Sequence, residues 1–135
     1  MKKVLLAYDG SESAEAAVHQ LLELGKQISQ LQIGIITVIP DSDKSILEQV
    51  PSYAEWQARL FTKAENEIKQ VCAQFEAEGL HAEGIVRIGS PAVTIIEEAN
   101  QNHYDTIMLG HREHNLGSVS MKIVALSPVG VYITS

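Results

Sequence analysis

The stretch GHREHNLGSVS, residues 110–120, carries the residue types of a phosphate-binding loop. It follows the apolar run YDTIML and precedes the helical pattern VSMKIVAL, so it lies where a strand leads into a helix. Backbone N–H groups and the helix dipole attract anions at such a junction. Gly110 and Gly117 allow close backbone approach, and Ser118 could donate its hydroxyl or cap the helix. The P-loop lysine is absent, so an anion site and an ordinary capped loop both stay open.

The middle of this loop carries charges of both signs. Arg112 contributes a fixed positive charge, and His111 and His114 contribute conditional ones. Glu113 would repel a polyphosphate. The two histidines offer only two metal ligands without an identified third, so we predict no metal site.

Asp9 is a second candidate, because it ends the apolar run KKVLLAY and begins the turn sequence DGSES. A carboxylate at the end of a strand can accept hydrogen bonds from a ribose or a base, or help to hold a metal ion. It can equally be a turn residue that caps the entry to the next helix. Position alone leaves both interpretations open.

The elements that would position these residues alternate along the chain. Continuous apolar runs predict buried strands at 2–8, 32–39, 80–88, 104–110 and 127–135. Helical periodicity predicts helices at 13–29, 53–79, 89–102 and 119–126, and residues 40–52 form the longest irregular connection. This alternation predicts an α/β fold with a parallel sheet and helices on both faces. Ligands bind such sheets at the carboxyl ends of the strands.

Composition limits the classes of function. The chain has 135 residues, which suits a single domain over 1–135, and a net charge of -7, which disfavours nucleic acid and anionic membranes as partners. No apolar run approaches the roughly 18 residues of a membrane span, and no signal peptide is recognisable, so we expect a cytoplasmic protein. One apolar stripe is predicted along the helix at 53–79, formed by Ala54, Ala58, Phe61, Ala64, Ile68, Val71, Cys72 and Phe75. The single cysteine, Cys72, lies on this stripe, and we predict a core position for it.

Other activities of this architecture lack their residues. A phospho-receiver domain needs an acidic pair after the first strand and an aspartate after the third, where this chain has AYDGS and RIGS. An ATP-pyrophosphatase needs a double-glycine loop, and a flavodoxin needs a Ser/Thr-rich loop without acids. The five histidines show no acid–base arrangement, so we predict no catalytic residue.

Three stretches in order, KKVLLAYDGSESAEAAVHQLLEL, VRIGSPAVTIIEEANQNHYDTIMLG and LGSVSMKIVALSPVGVYIT, resemble the universal stress protein family over essentially the whole chain. The resemblance implies a flavodoxin-like, doubly wound sheet of strand order 3-2-1-4-5. It also implies a dimer through the fifth strand, and in one branch of the family an ATP site.

That branch carries the pattern G-x2-G-x9-G-[ST]. Gly110 matches its first glycine and Gly117-Ser118 its final pair, while Asp9 and Val38 match the residues on the nucleoside side. The second glycine falls on Glu113, and only six residues separate Gly110 from Gly117. The resemblance therefore implies a dimeric stress-response binding module with a weakened site for ATP, AMP or a smaller anion, which Arg112 would assist. A member that binds no nucleotide and acts through protein contacts is the alternative, and a slow ATP hydrolase is a third.

The last strand itself indicates self-association. Apolar residues alternate with small or polar ones in PVGVYIT, and an apolar edge strand is a liability unless it is covered. Pairing with a second copy about a two-fold axis would cover it, and Gly130 would permit close approach. We therefore predict a homodimer formed through Val129, Gly130, Val131, Tyr132 and Ile133.

Overall fold

The computed structural model describes residues 1–41, 52–111 and 117–134. Strands and helices alternate along these residues. In chain order they are β1 (Lys3–Ala7), α1 (Glu12–Gln27), β2 (Gln32–Pro40), α2 (Tyr53–Ala77), β3 (Ala82–Gly89), α3 (Pro91–Gln101), β4 (Thr106–Leu109), α4 (Ser118–Leu126) and β5 (Gly130–Ile133). The predicted alternation of elements is confirmed, with bounds that shift by at most three residues.

The five strands form one parallel sheet in the order β3-β2-β1-β4-β5. The strand order reverses beside β1, because the chain passes outward through β2 and β3 and then returns to β4 on the other side. The carboxyl ends of β1 and β4 therefore diverge into α1 and α4 on either side of a crevice. The predicted flavodoxin-like fold of order 3-2-1-4-5 is confirmed.

Successive strand residues point to opposite faces and build two separate apolar cores. Leu6 of β1 packs in the core covered by α1 and α2, whereas Leu5 packs in the core covered by α3 and α4. Both side chains are fully buried. Burial on both faces explains why the strands have continuous apolar sequences, and it gives the three-layer α/β/α arrangement.

Three helix boundaries follow local sequence. Ser11 caps α1, with its Oγ accepting a hydrogen bond from the Ala14 amide at 3.2 Å. Pro91 occupies the first position of α3, where its missing N–H costs nothing. Gly79, with a φ of 77°, ends α2 in the left-handed conformation that glycine adopts most readily.

The predicted apolar stripe of α2 is only partly correct. Its later members, Ala64, Ile68, Val71 and Phe75, are buried, but Ala54 and Ala58 near its start are exposed. The helix has 25 residues and is about 37 Å long, whereas the eight residues of β3 span about 26 Å. The helix is therefore longer than the strand beneath it. Within the described residues, no helix is long and apolar enough to cross a membrane.

Candidate functional site

The carboxyl ends of β1, β2 and β4 open into a cleft of about 710 Å³. Five of the six site residues predicted from the sequence line it, although they come from four distant parts of the chain. They are Asp9, Val38, Gly110, Gly117 and Ser118. The sixth, Arg112, lies outside the described residues, as do Glu113 and His114. The fold thus brings the predicted residues together in one space that could hold a small ligand.

Asp9 occupies the turn between β1 and α1. Its Oδ1 accepts a hydrogen bond from the Ser11 amide at 2.9 Å, and the next residue, Gly10, has a φ of 80°. Asp9 therefore does act as a turn residue at the entry to α1, which is one of the two roles that the sequence left open. Asp9 also lines the cleft, so the residue that holds this turn borders the space where a ligand would lie.

Tyr8 anchors this turn, and sequence reasoning missed its role. Its amide donates to the Ile36 carbonyl at 2.8 Å, and its carbonyl accepts from the Thr37 hydroxyl at 2.7 Å. Its own hydroxyl donates to the Glu15 carboxylate. Burial, followed by the hydrogen bond and the charge of Glu15, raises the pKa of Tyr8 well above its usual value. The phenol therefore stays neutral and holds the end of β1 against α1.

Gly110 is required by packing between elements. A Cβ at this position would lie 2.4 Å from the carbonyl oxygen of Ser13 and 3.0 Å from the Ala14 amide nitrogen. Only glycine lets the end of β4 approach the first turn of α1 this closely. The close backbone approach that the sequence indicated thus occurs, and the backbone that Gly110 approaches is that of α1.

Gly117 differs from Gly110, because no described atom lies within 4 Å of the position that its Cβ would take. Its φ of -66° and ψ of 167° suit any residue, and it is the N-cap of α4 with no side-chain hydrogen bond to the first turn. The expectation that Ser118 could cap α4 is wrong, since Ser118 is already the first helical residue. Neither packing nor backbone geometry among the described residues explains glycine at position 117.

Residues from the starts of three helices line the cleft, and the helices differ in how they would receive an anion. Helix α1 is already capped by Ser11 and has Glu12 and Glu15 in its first turn. Helix α3 begins with Pro91, which has no N–H to donate. Within the part of the chain that the structure describes, helix α4 has neither a side-chain cap nor an acidic residue in its first turn. Its amides and the positive end of its dipole are therefore the best placed to bind an anion.

The wall contributed by α2 was not anticipated from the sequence. Leu60, Lys63, Ala64 and Glu67 line the cleft opposite the loops. Helical periodicity marks the residues of α2 that face the sheet, but it does not indicate which polar residues overhang the strand ends. Tyr53 and Trp56, also on α2, contact each other with ring centroids 6.1 Å apart, outside the cleft lining.

Other candidate groups do not form a second centre in the parts of the chain that the structure describes. No three His, Cys, Asp or Glu side chains in residues 1–41, 52–111 and 117–134 are placed to hold a metal ion. Cys72 packs half-buried against the core below α1 and α2, close to its predicted position. Burial and the charge of Glu76 raise the pKa of its thiol, which disfavours the reactive thiolate.

Comparison with known proteins agrees with this geometry. The family model of the universal stress protein family matches residues 1–135. The universal stress protein Sll1388 of Synechocystis sp. is 29% identical in an alignment 141 positions long, which covers 90% of this chain and 90% of that protein.

Solved structures share the fold. Universal stress protein UspA from Lactobacillus plantarum superposes with a TM-score of 0.84 at 21% identity, covering 99% of this chain and 97% of its own. A family protein from Arabidopsis thaliana, solved with AMP bound, gives a TM-score of 0.77 at 19% identity, with coverages of 98% and 90%. These structures share the fold, and the match of the family model over residues 1–135 shows that the chain belongs to the universal stress protein family.

Proposed function

We propose that the cleft binds an adenine nucleotide, AMP in preference to ATP, and that the protein serves as a dimeric stress-response binding module. The observation that carries this proposal is the uncapped N-terminus of α4 at one side of the cleft. A phosphate there would accept hydrogen bonds from the first-turn amides near Ser118 and lie in the positive potential of the helix. Gly117 leaves space for the phosphate because it has no side chain.

The nucleoside would extend toward the ends of β1 and β2. Val38 offers an apolar contact for a base, and Asp9 offers an acceptor for ribose or base hydrogen bonds. The cleft volume of about 710 Å³ lies in the range usual for small-ligand sites. The AMP-bound relative from Arabidopsis thaliana supports adenine as the base.

The preference for a monophosphate rests on the loop sequence. Six residues separate Gly110 from Gly117, so fewer backbone N–H groups are available to surround a triphosphate chain than in the ATP-binding family pattern. Glu113 adds like-charge repulsion in place of a glycine. We expect both effects to weaken the binding of ATP more than the binding of AMP, because only the β- and γ-phosphates of ATP would need the middle of the loop.

We also propose that two copies pair through β5. Among the described residues β5 pairs only with β4, and it carries no charged side chain. The opposite edge strand, β3, exposes Glu83 and Arg87, which discourage edge-to-edge pairing. Tyr132 on β5 and Met121 and Leu126 on α4 are exposed apolar side chains that a second copy would cover.

This exposed apolar surface also favours the alternative function, in which the protein binds no nucleotide and acts through protein contacts. Slow hydrolysis of a bound nucleotide is a third candidate with less support, since no general base is recognisable among the residues that line the cleft. Phosphate release from ATP that is lost in Asp9→Ala would be needed to establish it.

Ligand binding can be tested on the purified protein directly. Mass spectrometry of the denatured protein identifies any nucleotide that co-purifies, and thermal unfolding with AMP or ATP tests added ligand. A ligand that binds only the folded state raises the free energy of unfolding by about 2.7 kcal/mol when its concentration is a hundred times its Kd. We expect a larger rise in Tm with AMP than with ATP. No co-purified nucleotide and an unchanged Tm at millimolar AMP would contradict the proposal.

A further inference from the structure

The charges around the cleft are unequally distributed. Among the described residues, the charged side chains that line it are Asp9, Lys63 and Glu67. Glu67 adjoins the turn that carries Asp9, since its Oε2 lies 4.0 Å from the position that a Cβ on Gly10 would take. The first turn of α4 contributes no acidic residue. One side of the cleft therefore carries carboxylates, and another carries the positive end of a helix dipole.

The charge of Glu67 is only weakly neutralised by Lys63. Lys63 approaches Glu67 with Nζ and Oε1 4.0 Å apart, and both side chains are substantially exposed. An exposed ion pair at this distance contributes little. Burial is the main cause of the raised pKa of Tyr8, but the charges of Glu15, Glu67 and Asp9 all act in the same direction. The carboxylates of Asp9 after β1, Glu15 on α1 and Glu67 on α2 thus all act on the region around Tyr8.

We infer that Glu67 is a specificity-determining residue, which restricts the cleft to nucleotides that carry phosphate on the 5′ side alone. This inference rests on the proposed function. With the 5′-phosphate at α4, the ribose would lie toward Asp9 and Glu67. Carboxylates accept hydrogen bonds from ribose hydroxyl groups but repel a second phosphate attached there. The ligand class is therefore a nucleoside 5′-monophosphate with unmodified ribose hydroxyls.

The position of Glu67 makes the inference specific to this side chain. Glu65, two residues earlier on the same helix, is equally acidic but lies in a different groove, beside Phe61 and Lys69. Glu65→Gln is therefore a matched control for the same loss of charge. Lys63→Gln removes the cation that faces Glu67, so it should act in the opposite direction to Glu67→Gln.

The experiment is calorimetric titration of 5′-AMP and of adenosine 3′,5′-bisphosphate into the wild type and these three variants. We expect the wild type to favour AMP by roughly tenfold, which corresponds to about 1.4 kcal/mol of charge repulsion between Glu67 and the second phosphate. Glu67→Gln should narrow that ratio severalfold, Lys63→Gln should widen it, and Glu65→Gln should leave it unchanged.

The possible failures are distinguishable. If AMP binds but the ratio is the same in Glu67→Gln as in the wild type, the specificity role of Glu67 is overturned and the proposed function stands. If neither nucleotide binds the wild type at millimolar concentration, the proposed function fails and the inference fails with it. Circular dichroism of each variant tests whether the three substitutions leave the fold intact.

Discussion

Gly110 lies against the backbone of Ser13 so closely that a Cβ on Gly110 would be 2.4 Å from the Ser13 carbonyl oxygen. This contact joins the end of β4 to the first turn of α1 across the reversal in strand order. It fixes one side of the cleft relative to the other. Gly110 therefore contributes to the site through the fold, whereas Gly117 borders open space.

Gly110→Ala should destabilise the protein by about 1–3 kcal/mol, because backbone must shift to accommodate the methyl group. Gly117→Ala should change the free energy of unfolding by less than about 0.5 kcal/mol, since the added Cβ would meet no described atom. Alanine is a weaker N-cap than glycine, but it also makes the unfolded chain less flexible, and the two effects offset each other. Urea unfolding measures both changes. Equal losses in the two variants would show that the Ser13 contact is unimportant.

Arg87 supports a buried carboxylate on α3. Its Nη2 lies 3.1 Å from Glu98 Oε1, and the Glu98 side chain is only 7% exposed. Arg87→Ala should lower the free energy of unfolding by about 1–3 kcal/mol, because among the described residues it leaves the buried Glu98 with the hydrogen bond from Asn102 alone. The double variant Arg87→Met with Glu98→Leu should recover much of that loss in urea unfolding. A double variant less stable than Arg87→Ala would contradict this account.

Tyr104 should make the protein sensitive to alkali. Burial, followed by the charges of Glu83 and Glu98, raises its pKa to about 12. The native state therefore favours the neutral phenol, so this contribution to stability is complete below about pH 10 and is lost as pH rises from there toward 12. Relative to Tyr104→Phe, the wild type should lose roughly 1 kcal/mol between pH 9 and pH 11. Parallel pH profiles of the two proteins would contradict this expectation.

Tyr132→Lys tests the proposed dimer. Tyr132 is 40% exposed on β5, so the substitution should leave the fold intact but place like charges together at a two-fold interface. Light scattering at micromolar concentration should change from a dimeric to a monomeric mass. Ile88→Lys, at a residue 41% exposed on the opposite edge strand β3, is the matched control and should remain dimeric. A monomeric wild type, or a dimeric Tyr132→Lys, would count against β5 as the interface.

Most of the fold could be predicted because its determinants are local. Apolar runs specify the strands, Ser11 and Pro91 specify helix starts, and the alternation of elements requires parallel pairing. The exposure of the first turns of α2 could not be predicted, because the apolar periodicity of the helix continues past the end of the strand that it covers. Whether Ala54 and Ala58 are buried depends on the relative lengths of two elements.

The site was predictable in part for a similar reason. Asp9 and Gly110 follow the ends of β1 and β4, and Gly117 begins the helix that follows β4, so the topology places all three near one another. Glu67 and Lys63 reach the cleft from the side of a helix, and their approach depends on how α2 crosses the sheet. Ser118 was considered as a cap because its residue type is favoured there, but the helix begins one residue earlier than that role requires.

The most direct test of the phosphate position is calorimetric titration of 5′-AMP into the wild type and Gly117→Asp. The φ and ψ of Gly117 already suit an N-cap, so aspartate should accept hydrogen bonds from the first-turn amides of α4 and preserve or raise stability. The same carboxylate would occupy the phosphate position and repel it. Ser90→Asp, the equal charge change at the N-cap of α3, controls for general electrostatics.

We predict that AMP binds the wild type and Ser90→Asp with similar affinity and binds Gly117→Asp at least roughly tenfold more weakly, with no loss of Tm in the variant. Equal AMP affinity in Gly117→Asp and the wild type would contradict a phosphate site at the N-terminus of α4.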